Sequence, residues 1–151
     1  MRIVELPHRR LPVALAIHEV LQAAQRVEAE LVDAERFPPL GRGVADICLA
    51  RSRFRGIEID GRLAAVIETE RPAPGHTHIA SLAVQPAYFR RGLASALLAS
   101  VLAEPGIERV TVDTAAANAP ALALYRKFGF ELRRRWQTRE GIPMVSLVRC
   151  D

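Results

Sequence analysis

One α/β (α+β) domain built on a central mixed sheet is the fold this sequence predicts. Three observations lead there. Segments of strand and helix character alternate along the chain, one strand–helix–strand unit occupies residues 77–114, and the other strand segments fall in short runs joined by tight turns. The strand–helix–strand unit demands two parallel strands joined by a right-handed crossover. The remaining strands are free to pair antiparallel, and helices then cover the faces of the sheet. At 151 residues, half of them apolar and a quarter charged, the chain is long enough for one domain with its own core.

Taken in order, RIVEL (2–6) reads as a short strand. From Pro12, apolar residues at Val13, Ile17, Val20, Leu21, Ala24 and Val27 have the spacing of an amphipathic helix. RFPPLGRG breaks that pattern with two prolines and two glycines, so it is a loop, and a short helix over 44–50 follows. FRGIEID and RLAAVIETE flank Asp60-Gly61, a hairpin turn, because both residues tolerate positive φ. RPAPGH reads as a loop and THIASLAVQ as a buried strand ended by Pro86. The next helix runs to about Glu104 with Leu93, Leu97, Leu98, Val101 and Leu102 on one face, and Pro105-Gly106 stops it. RVTVDT is a strand. A helix spans 119–128 with Gly129 at the position after its end, and FELRRRW and PMVSLVRC close the chain as strands. The total is about seven strands and about four helices.

Several function classes lose ground on composition. No segment reaches the ~18 uninterrupted apolar residues of a membrane span. Arg9-Arg10 before LPVALAI has the look of a secretion signal, but the apolar run ends at His18-Glu19 and helical alternation continues, so it reads as the first helix. Cys48 and Cys150 are far apart and in no metal-type spacing, as expected of free thiols in a cytoplasmic protein. His76 and His78 form an HxH pair on a strand, but no Cys or carboxylate cluster supports a metal site, and none is expected. The net charge is +4, and 20 of the 21 basic residues are arginine. That balance suits nucleic acid or a polyanionic small ligand. Nucleic acid ranks last, since aromatics are only 5% and several fall at core positions.

RRGLASALLAS (90–100) carries the strongest local signal. A helix N-terminus leaves about four backbone N–H groups without partners and is the positive end of the helix dipole. Gly92 lets a ligand approach the backbone, Ala94 and Ser95 leave room, and Arg90 and Arg91 supply charge, so the stretch reads as a pyrophosphate site directly after a strand. Ala96 and Ala99 are better explained by close packing of the helix on the sheet. Neither G-x-G-x-x-G nor the GK[ST] of a P-loop is present.

LAVQPAYFRRGLASALL resembles the acyl-CoA-binding motif of the GNAT superfamily of N-acetyltransferases, with Phe89 standing where Gln or Arg is usual. NAPALALYRKFGF resembles the second motif of that family at Asn118, Ala121, Leu124, Tyr125, Lys127, Gly129 and Phe130. The resemblance implies a splayed parallel pair of strands, near 77–85 and 109–114, with acetyl-CoA (coenzyme A) as the bound cofactor. It places Leu82 and Val84 against the pantetheine arm, Arg90, Arg91, Gly92, Leu93, Ala94 and Ser95 around the phosphates, Asn118 beside the arm, and Tyr125 as general acid. It implies acetyl transfer to a primary amine by direct attack within a ternary complex, the acceptor being a small molecule or a peptide.

For the general base, His78 is the leading candidate, with Glu68 and Glu70 as alternatives; a partly buried, structurally satisfied His78 and a water chain both remain open. Asn118 reads equally well as a helix cap. Arg133, Arg134 and Arg135 cannot share one strand face, which favours a solvated edge. Phe37 and Leu40 are candidates for lining the acceptor pocket. A homodimer is possible. The alternative to an enzyme is a non-catalytic acyl-CoA-binding or sensing domain of the same fold.

Overall fold

The structure is a computed structural model that describes residues 2–32 and 41–151. Its elements are β1 (Ile3–Glu5), α1 (Leu11–Val32), α2 (Val44–Leu49), β2 (Arg53–Ile59), β3 (Arg62–Ala73), β4 (His76–Val84), α3 (Leu93–Leu102), β5 (Arg109–Ala115), α4 (Ala119–Lys127), β6 (Glu131–Gln137) and β7 (Pro143–Cys150). The strands form one sheet in the order β1-β2-β3-β4-β5-β7-β6. Only β4 and β5 run parallel; every other neighbouring pair is antiparallel. This is the mixed sheet of seven strands flanked by four helices that the sequence predicts. No helix among the described residues is long and apolar enough to cross a membrane.

Each helix lies where its apolar stripe directs it. Ala14, Ile17, Val20 and Leu21 of α1 and Ile47 of α2 bury against Phe54, Val66 and Ala83 on one face of the sheet. Leu93, Leu97, Leu98 and Val101 of α3 join Tyr125 of α4 on the opposite face, over Ile67, Ile79, Val112 and Leu147. Asp60 and Gly61 both take positive φ, 51° and 77°, as a two-residue hairpin turn requires. Gly56 has a different role: a Cβ there would lie 2.6 Å from Leu63 Cδ1 and 2.8 Å from Leu6 Cδ1, so any side chain would have to displace both leucines.

One segment departs from the sequence reading. RPAPGH is not a loop: Arg71–Ala73 extend β3, and the turn to β4 comes only at Pro74-Gly75. The ladder jumps from Glu70↔His78 to Ala73↔His76, so Pro72 sits in an irregularity where its missing N–H interrupts no regular rung.

The parallel pairing is short. It runs from His76↔Arg109 to Ile79↔Val112 and stops. Beyond Ile79, β4 continues to Val84 paired with β3, and β5 continues to Ala115 paired with β7. Between Glu68↔Ser81 and Thr69↔Ile79 the register shifts, leaving Ala80 as an extra residue in β4. A bulge bends its strand, and it lies where the two strands part. The β5-facing edge of β4 from Ala80 onward therefore has no strand partner among the described residues.

The other edge of β4 is braced at the same level. The Glu68 carboxylate is 2% exposed and receives four hydrogen bonds: from Arg42 Nη1 (2.7 Å) and Nη2 (2.9 Å), Ser52 Oγ (2.5 Å) and Ser81 Oγ (2.9 Å). Burial alone would raise its pKa; the hydrogen bonds from Arg42, Ser52 and Ser81, with the charge of Arg42, outweigh that and hold it below the ordinary carboxylate value. A carboxylate with a lowered folded-state pKa stabilises fully above its unfolded value, about 4.3. The contribution is lost as pH falls through the folded-state value. Glu68→Gln is expected to destabilise by about 2–3 kcal/mol at pH 7, near the lower end for breaking a buried pair because Arg42 keeps some water contact. Denaturant titrations across pH 3–7 should show a shallower acid decline in the variant than in the wild type.

Candidate active site

The parting of β4 from β5 opens a cleft of about 470 Å³. One wall is α1, through Ala24, Val27, Glu28 and Leu31; the other is α4 and its entry, through Asn118, Ala121, Leu124 and Tyr125. Leu82 and Val84 of β4 form the floor, and the loop from Tyr88 to Gly92 with the first turn of α3 closes one end. An adjoining cavity of about 330 Å³ shares Glu28, Leu82, Asn118 and Tyr125 and adds Gln25, Ser81, Asp113, Thr138 and Met144.

The loop end is shaped for an anion. Arg90 has φ of +64° and Gly92 +76°, and no side chain caps α3. Left-handed residues interleaved with ordinary ones turn successive N–H groups inward as a concavity for negative charge. The N–H groups of the first turn of α3 add to it. Holding Arg90 in that conformation costs about 1–3 kcal/mol, a strain typical of ligand clamps. No atom lies within 4 Å of where a Gly92 Cβ would project, so the space over the loop is open. Backbone donors, positive charge and open volume therefore fit the pyrophosphate of coenzyme A.

Leu82, Val84, Arg90, Gly92, Leu93, Ala94, Ser95, Asn118 and Tyr125 all line this cleft, as the sequence reading expects. Arg91 is not among its lining residues; its guanidinium lies over the Tyr88 ring, 5.3 Å from the centroid. Phe89, at the unusual motif position, lines the cleft and is 45% exposed.

Asn118 does two things. Its Oδ1 accepts from the Ala121 N–H (3.3 Å), capping α4, and its side chain stands beside Glu28 in the cleft. Burial raises the Glu28 pKa, which the nearby Asn118 side chain partly counters. Tyr125 is 4% exposed and packs edge-on to Phe130 at 5.2 Å. Burial, and secondarily the charge of Glu28, push its pKa well above the ordinary phenol value. The phenol therefore keeps its proton throughout the neutral range.

The structure does not bring the three expected bases to Tyr125. Glu68 is held by its four donors, and with Glu70 it lines a separate cavity beside Arg42, Arg51 and Arg71. His78 lies on the far side of the β4–β5 pair, its Nδ1 2.8 Å from Thr111 Oγ1, in a third cavity with His76 and Arg133. The bulge at Ala80 separates the rungs that carry His78 and Glu70 from the open edge. Phe37 and Leu40 lie outside the described residues. Arg133, Arg134 and Arg135 are exposed on β6, an edge strand.

Two carboxylates take the places expected of those bases. Glu28 lines both the cleft and its adjoining cavity. Asp113 lines the adjoining cavity and is oriented by a relay: Trp136 Nε1 donates to Ser146 Oγ (2.9 Å), which donates to Asp113 Oδ1 (2.6 Å). A signal for each is present in the sequence. Leu21, Ala24, Gln25 and Glu28 recur at helical spacing, so Gln25 and Glu28 stand on the packed stripe of α1. Thr111 and Asp113 alternate with Val110 and Val112, putting a carboxylate on the face of the central strand opposite the two valines. The Gln25 Oε1 atom is buried with no hydrogen-bond partner among the described residues, a polar group facing the adjoining cavity.

Known proteins with the same architecture are numerous. A family model described as the acetyltransferase (GNAT) family matches residues 16–130. The chain is 33% identical over 138 residues to the UPF0157 protein YqkA of Bacillus subtilis, covering 91% of this chain but only 40% of that protein. It is 30% identical over 137 residues to the N-alpha-acetyltransferase RimI of Mycobacterium tuberculosis, covering 85% of each. The ribosomal-protein-S18-alanine N-acetyltransferase of Escherichia coli superposes with a TM-score of 0.76 over 99% of this chain and 92% of that one, at 22% identity. With the family model matching residues 16–130 and a relative 30% identical over 85% of the chain, the protein belongs to the acetyltransferase (GNAT) family.

Proposed function

We propose that this chain transfers an acetyl group from acetyl-CoA to a primary amine. The observation that carries the reading is the cleft itself: one opening between β4 and β5 gathers the Arg90–Gly92 loop, the unpaired edge of Leu82 and Val84, Asn118 and a protonated Tyr125. An extended pantetheine arm fits the vacant edge as an added strand would. When bound, acetyl-CoA supplies a thioester-activated acetyl group.

The residues of the chain divide the remaining work. The open edge and the anion cradle hold the thioester in line with the acceptor amine at Asp113. Asp113, fixed by Ser146, attracts the acceptor ammonium and takes its proton at the carboxylate oxygen that Ser146 leaves free. Tyr125 Oη holds the proton for the leaving sulfur. Glu28 is a positioning residue: it stands beside Asn118, and its charge reinforces the protonated state of Tyr125.

Thermal melts with acetyl-CoA and with coenzyme A test the cleft directly. A ligand at 100 times its Kd is expected to stabilise the wild type by about 2.7 kcal/mol. Gly92→Glu, which places a carboxylate over the cradle, should abolish the shift, whereas Gly92→Ala reports the backbone cost alone. The same shift with no thiol release on any amine would favour a non-catalytic binding domain. Tyr125→Phe is expected to lower kcat by about 100-fold while leaving the coenzyme A shift intact, a loss typical of a missing general acid. Asp113→Asn should lower kcat/KM with the same intact shift; an unchanged rate would remove Asp113 from the reaction.

A further inference from the structure

Behind Asp113, on the open face of β4, β5, β7 and β6, lies a cavity of about 330 Å³ lined by His76, His78, Thr111, Asp113, Arg133 and Arg134 among others. Asp113 also lines the cavity adjoining the cleft, so the two spaces meet at that carboxylate. The cavity has a definite hydrogen-bonding polarity. Arg109 Nη2 lies 3.1 Å from His76 Nδ1, and a guanidinium can only donate, so His76 Nδ1 is an acceptor and its proton sits on Nε2. That Nε2 is 2.7 Å from Thr111 Oγ1 and donates to it. Thr111 is buried, so its own hydroxyl proton needs an acceptor, and His78 Nδ1 stands 2.8 Å away. The chain Arg109→His76→Thr111→His78 therefore leaves the proton of His78 on Nε2, which has no partner among the described residues.

The basic groups of the cavity are thus donors: His78 Nε2–H and the guanidinium groups of Arg133 and Arg134. Arg134 is steadied over the Trp136 ring, 5.6 Å from its centroid, and that same Trp136 starts the relay to Asp113. Among the described residues, Asp113 is the one carboxylate that lines the cavity. Resting on the amine-acetylation reading above, we infer that the acceptor is a zwitterion: its ammonium is drawn to Asp113 and its carboxylate or phosphate to His78, Arg133 and Arg134. The register sets the spacing. Arg134 pairs with Ser146 and Ser146 with Asp113, two strand spacings, or roughly 10 Å between backbones. His78 pairs with Thr111, two residues before Asp113, or roughly 8 Å away by the same geometry. Backbone spacings of this order suit an acceptor whose two charges are several bonds apart, as in a peptide whose acidic side chain follows its free N-terminus, or in an extended amino acid.

The test has a binding arm and a transfer arm. In the binding arm, glutarate and inorganic phosphate are titrated against Gly92→Glu protein, whose coenzyme A cradle is blocked. Saturable stabilisation is expected, and it should disappear in Gly92→Glu/Arg133→Gln/Arg134→Gln and weaken in Gly92→Glu/His78→Gln. Absence of anion binding to the Gly92→Glu protein, or binding indifferent to all three substitutions, overturns the inference without touching the acetyltransferase reading, which the acetyl-CoA melt on wild type decides separately. In the transfer arm, 4-aminobutyrate is compared with butylamine, and an Ala-Glu-Ala amide with an Ala-Gln-Ala amide. The charged member of a pair should show kcat/KM higher by about tenfold, the scale of a few partly exposed charge contacts. The pair showing the preference identifies a free or a peptide acceptor, and equal rates within both pairs overturn the inference.

Discussion

The divergence of β4 from β5 is the constraint on which the rest of the molecule depends. β5 has rungs to β4 only from Arg109 to Val112 but keeps rungs to β7 along its whole length, from Arg109↔Cys150 to Ala115↔Met144. β4 likewise stays with β3 up to Val84. Each strand holds to its antiparallel neighbour where the two part, so the opening is made from otherwise regular ladders. It leaves one row of backbone groups on β4 without a strand, and unpaired groups at a sheet edge are competent to bind an extended ligand.

An opening in the middle of a sheet needs support around it. Glu68 provides it on the β3 side, tying Arg42 ahead of α2, Ser52 ahead of β2 and Ser81 beyond the bulge into one hydrogen-bonded knot. Across the gap, Glu28 of α1 stands beside Asn118 at the start of α4, so the helices on opposite faces of the sheet approach one another through the opening. Burial explains the protonation states on both sides. Glu68 has four donors and is held ionised, whereas Tyr125 has only apolar packing and a nearby carboxylate and is held neutral.

Much of this was legible in the sequence. Most helix and strand positions followed from periodicity, and the Asp60-Gly61 turn from residues that accept positive φ, whereas the positive φ of Arg90 has no signal in the residue itself. The cleft-lining residues followed from the two motifs. The misreadings have one physical origin, long-range register. Pro72 marks a chain break in one dimension, but within a ladder it occupies an irregularity. His78 and Glu70 are candidates by side-chain chemistry and strand membership, and the extra residue at Ala80 is invisible until β4 is paired with β3. The relay Trp136–Ser146–Asp113 joins residues from β6, β7 and β5, whose order in the sheet differs from their order in the chain.

The same register gives the active-site face its charge order. The Arg90–Gly92 anion cradle sits at the α3 end of the cleft, Glu28 on its wall and Asp113 in the adjoining cavity, and the donors His78, Arg133 and Arg134 beyond. Positive, negative and positive zones in series match a ligand pair whose own charges run negative, positive and negative: a pyrophosphate, then an ammonium, then an anion. Arginine at the outer zone suits this arrangement better than lysine, because a planar guanidinium both stacks on Trp136 and presents a paired donor edge. The net charge of +4 adds a diffuse attraction for anionic ligands that any basic surface would share. Only the central carboxylates, held between two basic zones, distinguish an acceptor with its amine and its anion at opposite ends from one that is merely negative.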